Sequence, residues 1–370
     1  MPPPPSCPVP ELSERDGSRL RRHAAAADAG GFLHPVQQAL IHRRGWLRML
    51  APLAAGGMEW PLPKAVRLEE AVARQDGSAG WVVTLCAGAG WFAGFLPTDV
   101  ARGVVGTHRV CPAGSGAPTG YADEEGSGFR LTGRWDYASG APMATHFTLN
   151  AVLRRGGLPL LDESGAPRIR AFLVPARHVQ IEATWNMTGL RGTASHSYRI
   201  EGQWVPAGYG FAIRPDAATA AGPLYRFPFY SLAYVTLAAN VAGMAAHFMA
   251  LAAECLAHRR QPGTQAPVAQ ASVVATLSAA LHRSFDDARS AFYAALDAGW
   301  ARVEGGEALD EQGMTVLKEV SLALVRVSRE AVDGLYPYCG LYAAREDSAI
   351  NRVWRDFHTA SQHALLLALD

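Results

Sequence analysis

Residues 231–253 restrict the fold of this chain more than any other segment, because they include no Asp, Glu, Lys or Arg. The segment is long enough to cross a lipid bilayer. However, it is rich in Ala and Gly, contains Asn240 and His247, and is followed directly by Glu254. These features favour a helix buried inside a bundle over a membrane span. The sequence therefore predicts a helical core and no membrane association.

The composition argues against several classes of function. The chain has 370 residues, 49% of them hydrophobic, and a net charge of +1. No basic block stands out, so nucleic acid is not expected as a partner. The five cysteines are scattered and include no Cys-x-x-Cys pair. That pattern argues against a structural zinc site, so no metal is expected, and it favours reduced thiols in the cytoplasm.

Three zones of different character follow a Pro-rich segment, residues 1–10, which lacks the apolar core of a secretion signal and is interpreted as a disordered tail. Residues 11–102 show helical spacing of apolar residues between turn signals, and predict a helical domain. Residues 103–213 contain alternating segments that predict a β-barrel or sandwich. In one of them Phe129, Leu131, Trp135 and Tyr137 should share a face. Residues 214–370 contain four long helical runs, enough for a four-helix bundle.

Five short blocks, in order along the chain, resemble the flavin-dependent monooxygenases of the acyl-CoA dehydrogenase superfamily. They are segments 56–60 (GGMEW), 76–81 (DGSAGW), 133–140 (GRWDYASG), 189–195 (GLRGTAS) and 354–358 (WRDFH), the last followed by His363. The resemblance implies an acyl-CoA dehydrogenase-like fold with an N-terminal helical domain, a central β-barrel and a C-terminal four-helix bundle, assembled as a homotetramer. No Gly-x-Gly-x-x-Gly motif follows a strand, so a Rossmann-type nucleotide site is not expected.

The resemblance also implies an activity. An oxygenase component of this branch takes reduced FMN, with FAD as the alternative, from a separate flavin reductase. With O2 the reduced flavin forms a hydroperoxide, which oxygenates an organic small molecule. Acyl-CoA dehydrogenases carry a catalytic Glu after a similar Arg-Asp helix, where this chain has His363 and then Ala364. An imidazole can donate a proton to the peroxide or hold it, so His363 is predicted to be catalytic.

The same resemblance places the flavin against two of the blocks. Segment 133–140 would pass along the flavin ring, and segment 189–195 would bring hydrogen-bond donors to it. From the residues alone, a buried strand ending in a Ser-Gly turn is the more ordinary interpretation of the first segment. Ser139, near the reactive edge, is also predicted to be catalytic. The predicted cofactor-binding residues are Trp135, Tyr137, Ser139, Gly140, Arg191, Thr193 and Ser195.

The predicted substrate-pocket residues are Ala89, Trp91 and His358. Phenol hydroxylases of the branch often carry a His at the position of Ala89, so phenol hydroxylation is not expected here. Gly88 and Gly90 should leave extra room. This favours a bulkier substrate, or one that attacks the peroxide without deprotonation, such as an amine, a sulfide or a polycyclic scaffold. On one continuous helix His358 and His363 would point about 140° apart, and a packing role is the more ordinary interpretation of His358.

Two further expectations concern the last helix. Arg352 and Asp356 are spaced for an i,i+4 ion pair, and Asp356 should share a face with His363. Two other functions stay open. An FAD-containing dehydrogenase-like oxidoreductase is disfavoured by Ala364 and by CPAGSG at 111–116 in place of a Glu-Pro-Gly block. An inactive relative serving as a binding subunit is favoured by Ala89 and by the short segment after His363.

Overall fold

The computed structural model describes residues 12–367, so the predicted tail at residues 1–10 lies outside the described residues. The N-terminal part is helical: α1 (Glu14–Gly30), α2 (Pro35–Arg44), α3 (Leu62–Ala73), α4 (Gly77–Trp91) and α5 (Thr98–Val105). Strands and then a second set of helices follow. This order of helices, sheet and helices confirms the predicted acyl-CoA dehydrogenase-like fold class.

One mixed sheet forms the central part of the molecule. Its strands are β1 (Pro112–Gly114), β2 (Gly120–Glu125), β3 (Gly128–Ala138), β4 (His146–Arg155), β5 (Leu158–Pro159), β6 (Ile169–Pro175), β7 (Gln180–Glu182), β8 (His196–Pro206) and β9 (Gly210–Phe211). Their order is β7-β8-β3-β2-β4-β6-β9, with β1 and β5 also paired to β4. The Tyr198 hydroxyl on β8 donates to the Thr148 carbonyl on β4 at 2.6 Å. Since β3 and β2 separate these two strands in the sheet, this bond shows that the sheet curves around its apolar core.

The predicted alternation along β3 is wrong at Tyr137. The pairing of β3 with β8 shifts register between Trp135 and Ala138, and Tyr137 has a positive φ of 67°. Such a bulge turns one side chain away from its expected face. Trp135 is therefore fully buried in the sheet core, whereas Tyr137 is 64% exposed.

The C-terminal helices are α6 (Pro223–Arg226), α7 (Phe229–His258), α8 (Ser272–Glu304), α9 (Glu311–Cys339), α10 (Leu341–Ala344) and α11 (Ala349–Ala360). The apolar segment 231–253 lies within α7, which packs against α3, α9 and α11. Both α7 and the segment Gly77–Phe95 are long and apolar enough to span a membrane. However, the most apolar part of α7 is 78% buried inside the protein, and that of Gly77–Phe95 is 83% buried. Both are placed as core helices.

The last helix is shorter than expected. It ends at Ala360 and does not continue through His363. The Ser361 carbonyl, at the helix end, accepts a hydrogen bond from Arg329 on α9 at 3.1 Å. His363 instead starts a short 3-10 turn, Ala364–Leu366. The expectation that Asp356 and His363 share a helix face is therefore wrong.

Candidate active site

Helix α4 is buried except along one narrow strip, called here the α4 strip. Leu85 and Gly88 are its partly exposed residues, and Trp81 and Ala89 beside them keep 7% and 6% exposure. These four positions fall within an arc of about 100° on a helix with 3.6 residues per turn. A Cβ built on Gly88 would have no atom within 4 Å. The strip therefore faces open space, and α4 contributes no charged side chain to it.

His363 lies at one end of the α4 strip. Its ring meets the Trp81 indole edge to face, with centroids 6.0 Å apart. The Nδ1 atom of His363 accepts the Leu365 backbone N–H at 3.3 Å. Burial lowers the pKa of His363 below its ordinary value, so the imidazole is neutral at pH 7. Since Nδ1 is the acceptor, the proton sits on Nε2. His363 thus has one N–H donor, at Nε2.

Three buried hydroxyls form a chain at the end of β3. The Ser139 and Ser195 hydroxyls lie 2.9 Å apart, and those of Ser195 and Thr193 lie 2.7 Å apart. Thr193 donates its proton to the Leu190 carbonyl at 2.7 Å. Ser195 must then donate to Thr193, and Ser139 to Ser195, since each hydroxyl has one proton. Ser139 is left with acceptor lone pairs and no free proton to donate.

The structure brings four of the predicted cofactor-binding residues together. The Gly140 N–H donates to the Thr193 carbonyl at 2.8 Å, which joins the end of β3 to the turn before β8. Gly140 and Thr193 also line a small cavity of about 100 Å³. Beneath Gly140 lie Cys86 and Cys111, whose sulfur atoms are 3.7 Å apart. Sequence spacing gave no sign of this cysteine pair.

The other predicted cofactor-binding residues are more scattered. Tyr137 is exposed and meets the Trp185 ring edge to face at 6.3 Å, which makes an accessible aromatic wall. Arg191 is partly exposed, with one guanidinium nitrogen 3.4 Å from Glu346. Trp135 is enclosed in the sheet, where its indole N–H donates to the Asn150 carbonyl at 2.9 Å. It therefore does not form part of the accessible wall.

Of the predicted pocket residues, only Ala89 lies on the α4 strip. Trp91 is 1% exposed, and its indole N–H donates to the Leu224 carbonyl at 3.0 Å, so it is a core residue. Gly90 leaves no room either, because a Cβ there would lie 3.0 Å from the Leu47 carbonyl oxygen. The enlargement predicted from two glycines therefore comes from Gly88 alone.

His358 lies in a different environment from His363. Its Nε2 atom is 3.1 Å from an Asp333 carboxylate oxygen of α9, without the alignment of a hydrogen bond. Its ring packs on Trp354 with centroids 4.4 Å apart. The pKa of His358 is lowered mainly by burial, and Asp333 partly offsets this effect. These contacts place His358 between α9 and α11, which is a packing position and not a pocket position.

The Arg355-Asp356 pair has a role that the sequence did not reveal. Asp356 accepts the Leu190 N–H at 2.5 Å, and it makes no direct ion pair with Arg352 among residues 12–367, contrary to expectation. Arg355 pairs with Asp28 at 2.8 Å. A Cβ on Gly189 would collide with the Arg355 carbonyl, so only glycine fits there. The GLRGTAS and WRDFH blocks therefore contact each other directly.

These features fit a flavin. The site offers an accessible aromatic face at Tyr137, an uncharged open strip on α4, and a row of buried hydroxyls that ends in an acceptor at Ser139. Among residues 12–367, no group of three or more His, Cys, Asp or Glu is placed to hold a metal ion.

Comparisons with known proteins show which proteins this chain resembles. The model of the acyl-CoA dehydrogenase C-terminal domain matches residues 235–367. Indole-3-acetate monooxygenase of Pseudomonas putida is 27% identical over 354 residues, covering 95% of this chain and 88% of that protein. The HsaA oxygenase subunit of a flavin-dependent monooxygenase from Rhodococcus jostii is 25% identical over 344 residues, covering 88% and 85%. Over most of its length the chain is thus similar to flavin-dependent monooxygenases, and its C-terminal part matches an acyl-CoA dehydrogenase domain.

Solved structures show the same fold over most of the chain. XiaF from Streptomyces sp., in complex with FADH2 and glycerol, superposes with a TM-score of 0.86 at 23% identity, covering 95% of this chain and 89% of XiaF. TdsC from Paenibacillus sp. A11-2, in complex with FMN and indole, gives a TM-score of 0.78 at 18% identity, covering 95% and 92%. Like these flavin monooxygenases, the chain combines N-terminal helices, a central sheet and C-terminal helices.

Proposed function

We propose that this protein is the oxygenase component of a two-component monooxygenase, which uses reduced flavin and O2 to oxygenate an apolar organic molecule. The neutral imidazole of His363 at the end of the α4 strip is the observation that carries the proposal. A dehydrogenase would need a carboxylate base near this point, and the chain has Ala364. A neutral N–H donor beside an uncharged apolar strip suits an oxygen transfer, in which an oxygen atom must be held and no substrate proton is removed first.

Bound flavin would supply the activation of O2. Tyr137 would provide the flat wall, and Thr193, Ser195 and Arg191 would lie along the polar edge. His363 would hold the oxygen to be transferred through its Nε2–H. The Trp81 and Leu85 side chains of the α4 strip would exclude water from the reacting atoms, which strengthens that hydrogen bond.

The direction of the hydroxyl chain supports a preference for reduced flavin. Reduced flavin carries a proton on N5, whereas oxidised flavin has a bare nitrogen there. Ser139 can accept a hydrogen bond but has already donated its own proton to Ser195. An acceptor at this position favours the reduced form, as an oxygenase that captures flavin from a reductase requires.

Reduced FMN is the proposed cofactor, with FAD as the alternative, since one structural neighbour holds FMN and another FADH2. A separate flavin reductase is the proposed partner. We further propose a cytoplasmic homotetramer. On α10, Leu341 and Tyr342 are 88% and 56% exposed, and on α8 Val273 is 62% exposed. The exposure of these apolar side chains supports their burial against other subunits. A monomer in light scattering at micromolar concentration would contradict the tetramer.

The α4 strip also limits the substrate. Relatives are named for indole-3-acetate, and TdsC holds indole. Because α4 presents no charge and Gly88 leaves open space, this chain would take a flat apolar molecule of two or more fused rings. An amine, a sulfide or an electron-rich ring would react without prior deprotonation.

The decisive experiment mixes the protein with chemically reduced FMN, and separately with reduced FAD, before rapid addition of oxygenated buffer. Stopped-flow absorbance should show a transient band that precedes the appearance of oxidised flavin. Direct formation of oxidised flavin at the rate of free flavin would contradict the proposal. Absence of binding to either redox form would instead favour the binding-subunit function.

A further inference from the structure

A buried carboxylate on α11 supports the turn that carries the hydroxyl chain. Asp356 is 2% exposed, and its Oδ1 atom accepts the Leu190 N–H at 2.5 Å. The turn needs this support, because Leu190 and Ala194 have positive φ values of 51° and 45°. Residues other than glycine are conformationally strained at positive φ. Thr193 lies between them, so the position of its hydroxyl depends on the same hydrogen bond.

Neighbouring contacts fix Asp356 relative to this turn. The Arg355 guanidinium donates to the Thr188 carbonyl, just before the turn, and it also pairs with Asp28 of α1. Gly189 packs directly on the Arg355 carbonyl. These contacts hold the backbone of the turn against the backbone of α11. They therefore fix the position of the Asp356 carboxyl relative to the turn.

A second buried carboxylate lies beside the first. Asp76 is 4% exposed and caps α4 by accepting the Ser78 N–H at 3.1 Å. A Cβ built on the next residue, Gly77, would lie 3.0 Å from Oδ2 of Asp356. Burial, and then repulsion by Asp76, raise the pKa of Asp356 to about 7. Burial likewise raises the pKa of Asp76.

Other charges around Asp356 come from two helices. Asp28 of α1 raises the pKa of Asp356, whereas Arg352 of α11 and the Leu190 N–H lower it. Arg352 also lowers the pKa of Asp76. These opposing effects leave the buried pair with a proton that it exchanges close to neutrality.

We propose that Asp356 is a positioning residue whose charge holds the 190–194 turn, and that protonation of the Asp76–Asp356 pair on acidification loosens the hydroxyl chain. This inference rests on the proposed function, because the hydroxyl chain is assigned there to the flavin. The ionised carboxylate gives Leu190 a charge-assisted hydrogen bond, whereas the neutral acid is a weaker acceptor. Capture of reduced flavin should therefore weaken as pH falls below neutrality.

The sign of the linkage separates this effect from unfolding. The pKa of Asp356 is higher in the folded chain than in the unfolded chain, so its contribution to stability is complete below about pH 4 and is lost as pH rises through 7. Acidification from pH 8 to pH 6 therefore favours the folded state through this group, while it weakens the bond to Leu190. The predicted change is local to the turn.

Trp185 offers a readout that needs no flavin. Its indole N–H donates to the Leu190 carbonyl at 3.0 Å. The Trp185 signal is obtained as the fluorescence of the wild type minus that of the Trp185→Phe variant. This signal should change between pH 5.5 and 8.5, with a midpoint near 7. Asp356→Asn, which keeps an acceptor oxygen without a charge, should abolish the transition. Asp76→Asn should move the midpoint to lower pH, because it removes the repulsion between Asp76 and Asp356. The variant should still fold, because Asn remains a good N-cap for α4.

The controls make each outcome decisive. His196 also contacts Trp185, because the Trp185 backbone N–H donates to Nδ1 of His196 at 3.1 Å. A transition that persists in Asp356→Asn belongs to His196 and overturns the proposal, as does an unchanged midpoint in Asp76→Asn. Asp297→Asn removes a carboxylate held by Arg67 on another surface and should change nothing.

Flavin binding tests the link to function separately. The dissociation constant of reduced FMN in wild type should rise on the order of tenfold from pH 8 to pH 6. It should stay constant in Asp356→Asn. A Trp185 transition without any flavin binding would keep Asp356 as the support of the turn and reject the monooxygenase. A constant affinity in wild type, with flavin bound, would overturn the positioning role.

Discussion

The imidazole of His363 and the indole of Trp81 meet edge to face, with ring centroids 6.0 Å apart, where α4 opens to solvent. The contact holds the imidazole plane from one side, while the Leu365 N–H fixes Nδ1. Both constraints limit the orientation of the imidazole and leave Nε2–H as its donor. A side chain held in this way offers one donor at one place, which is what stabilisation of a transferred oxygen requires.

His363→Asn should uncouple the enzyme without unfolding it. Asn can still cap the 3-10 turn through its side-chain oxygen, so the thermal midpoint should stay near that of wild type. The donor at Nε2 is lost, and product formation should fall on the order of 10²-fold. Hydrogen peroxide should rise in its place. The measurement is the ratio of product to peroxide. The matched control is His358→Ala, which removes an imidazole from the contact between α9 and α11. An unchanged ratio in His363→Asn would remove this residue from the mechanism.

Gly88→Ala should stabilise the fold slightly. The new methyl group would enter open space, and Ala in a helix interior is favoured over Gly by about 0.5–1 kcal/mol. Gly80→Ala in the same helix should destabilise by about 1–3 kcal/mol, because its Cβ would lie 2.5 Å from the Ala73 Cα atom. Urea unfolding of the two variants gives the comparison, and destabilisation by Gly88→Ala would mean that the strip is closed.

A larger residue at position 88 should restrict the substrate. Gly88→Leu would fill the strip beside Leu85 and Ala89, so KM for a fused-ring substrate should rise by about tenfold or more. A one-ring analogue should be affected less, because it needs less of the strip. Steady-state kinetics with both substrates measure the contrast, which equal effects on the two would contradict.

Ser139→Ala should reduce the preference for reduced flavin. The variant loses the acceptor at the end of the hydroxyl chain, and a hydrogen bond of this type is worth about 1 kcal/mol. The affinity for reduced FMN should therefore drop roughly fivefold, while that for oxidised FMN stays the same. Anaerobic titration measures both constants. Thr148→Val, which alters a buried hydroxyl in the sheet core, serves as the control.

Glu69 should make stability fall as pH rises. It is fully buried, neither of its oxygens has a partner among the described residues, and burial raises its pKa to about 8. Between pH 5 and pH 8 the folded chain keeps a proton that the unfolded chain has released. The free energy of unfolding should fall by roughly 4 kcal/mol over this interval through Glu69. In Glu69→Gln this part of the slope should vanish, whereas Glu346→Gln, an exposed control, should leave the slope as in wild type.

Hydrophobic periodicity was enough to predict the order of helices and strands. It succeeded for α7 and for most of β3 because burial of one face is a local property of the sequence. It failed at Tyr137, since the bulge arises from the register between β3 and β8, which the spacing within one strand does not encode. It also failed at the end of α11, where Arg329 from α9 contacts the terminal carbonyl.

The candidate site was predictable only as a set of blocks. The resemblance implied that segments 133–140 and 189–195 both lie against the flavin, but not that one proton per hydroxyl leaves Ser139 as an acceptor. That result depends on the distances among three side chains. Trp91 and His358 were assigned to the pocket by their position in blocks, whereas their surroundings come from distant helices. The functional roles of His363 and Ser139 remain predictions for the experiments above.

The coverage of α7 has a consequence for biosynthesis. This almost uncharged helix is covered by α3 before it in the chain and by α9 and α11 after it. A nascent chain that has just left the ribosome with α7 complete still lacks two of these three neighbours. Until about one hundred further residues have been translated, an apolar face stays open to other chains, which promotes aggregation. Holding chaperones and slow, dilute refolding should therefore raise the yield of this protein more than changes at its active site would.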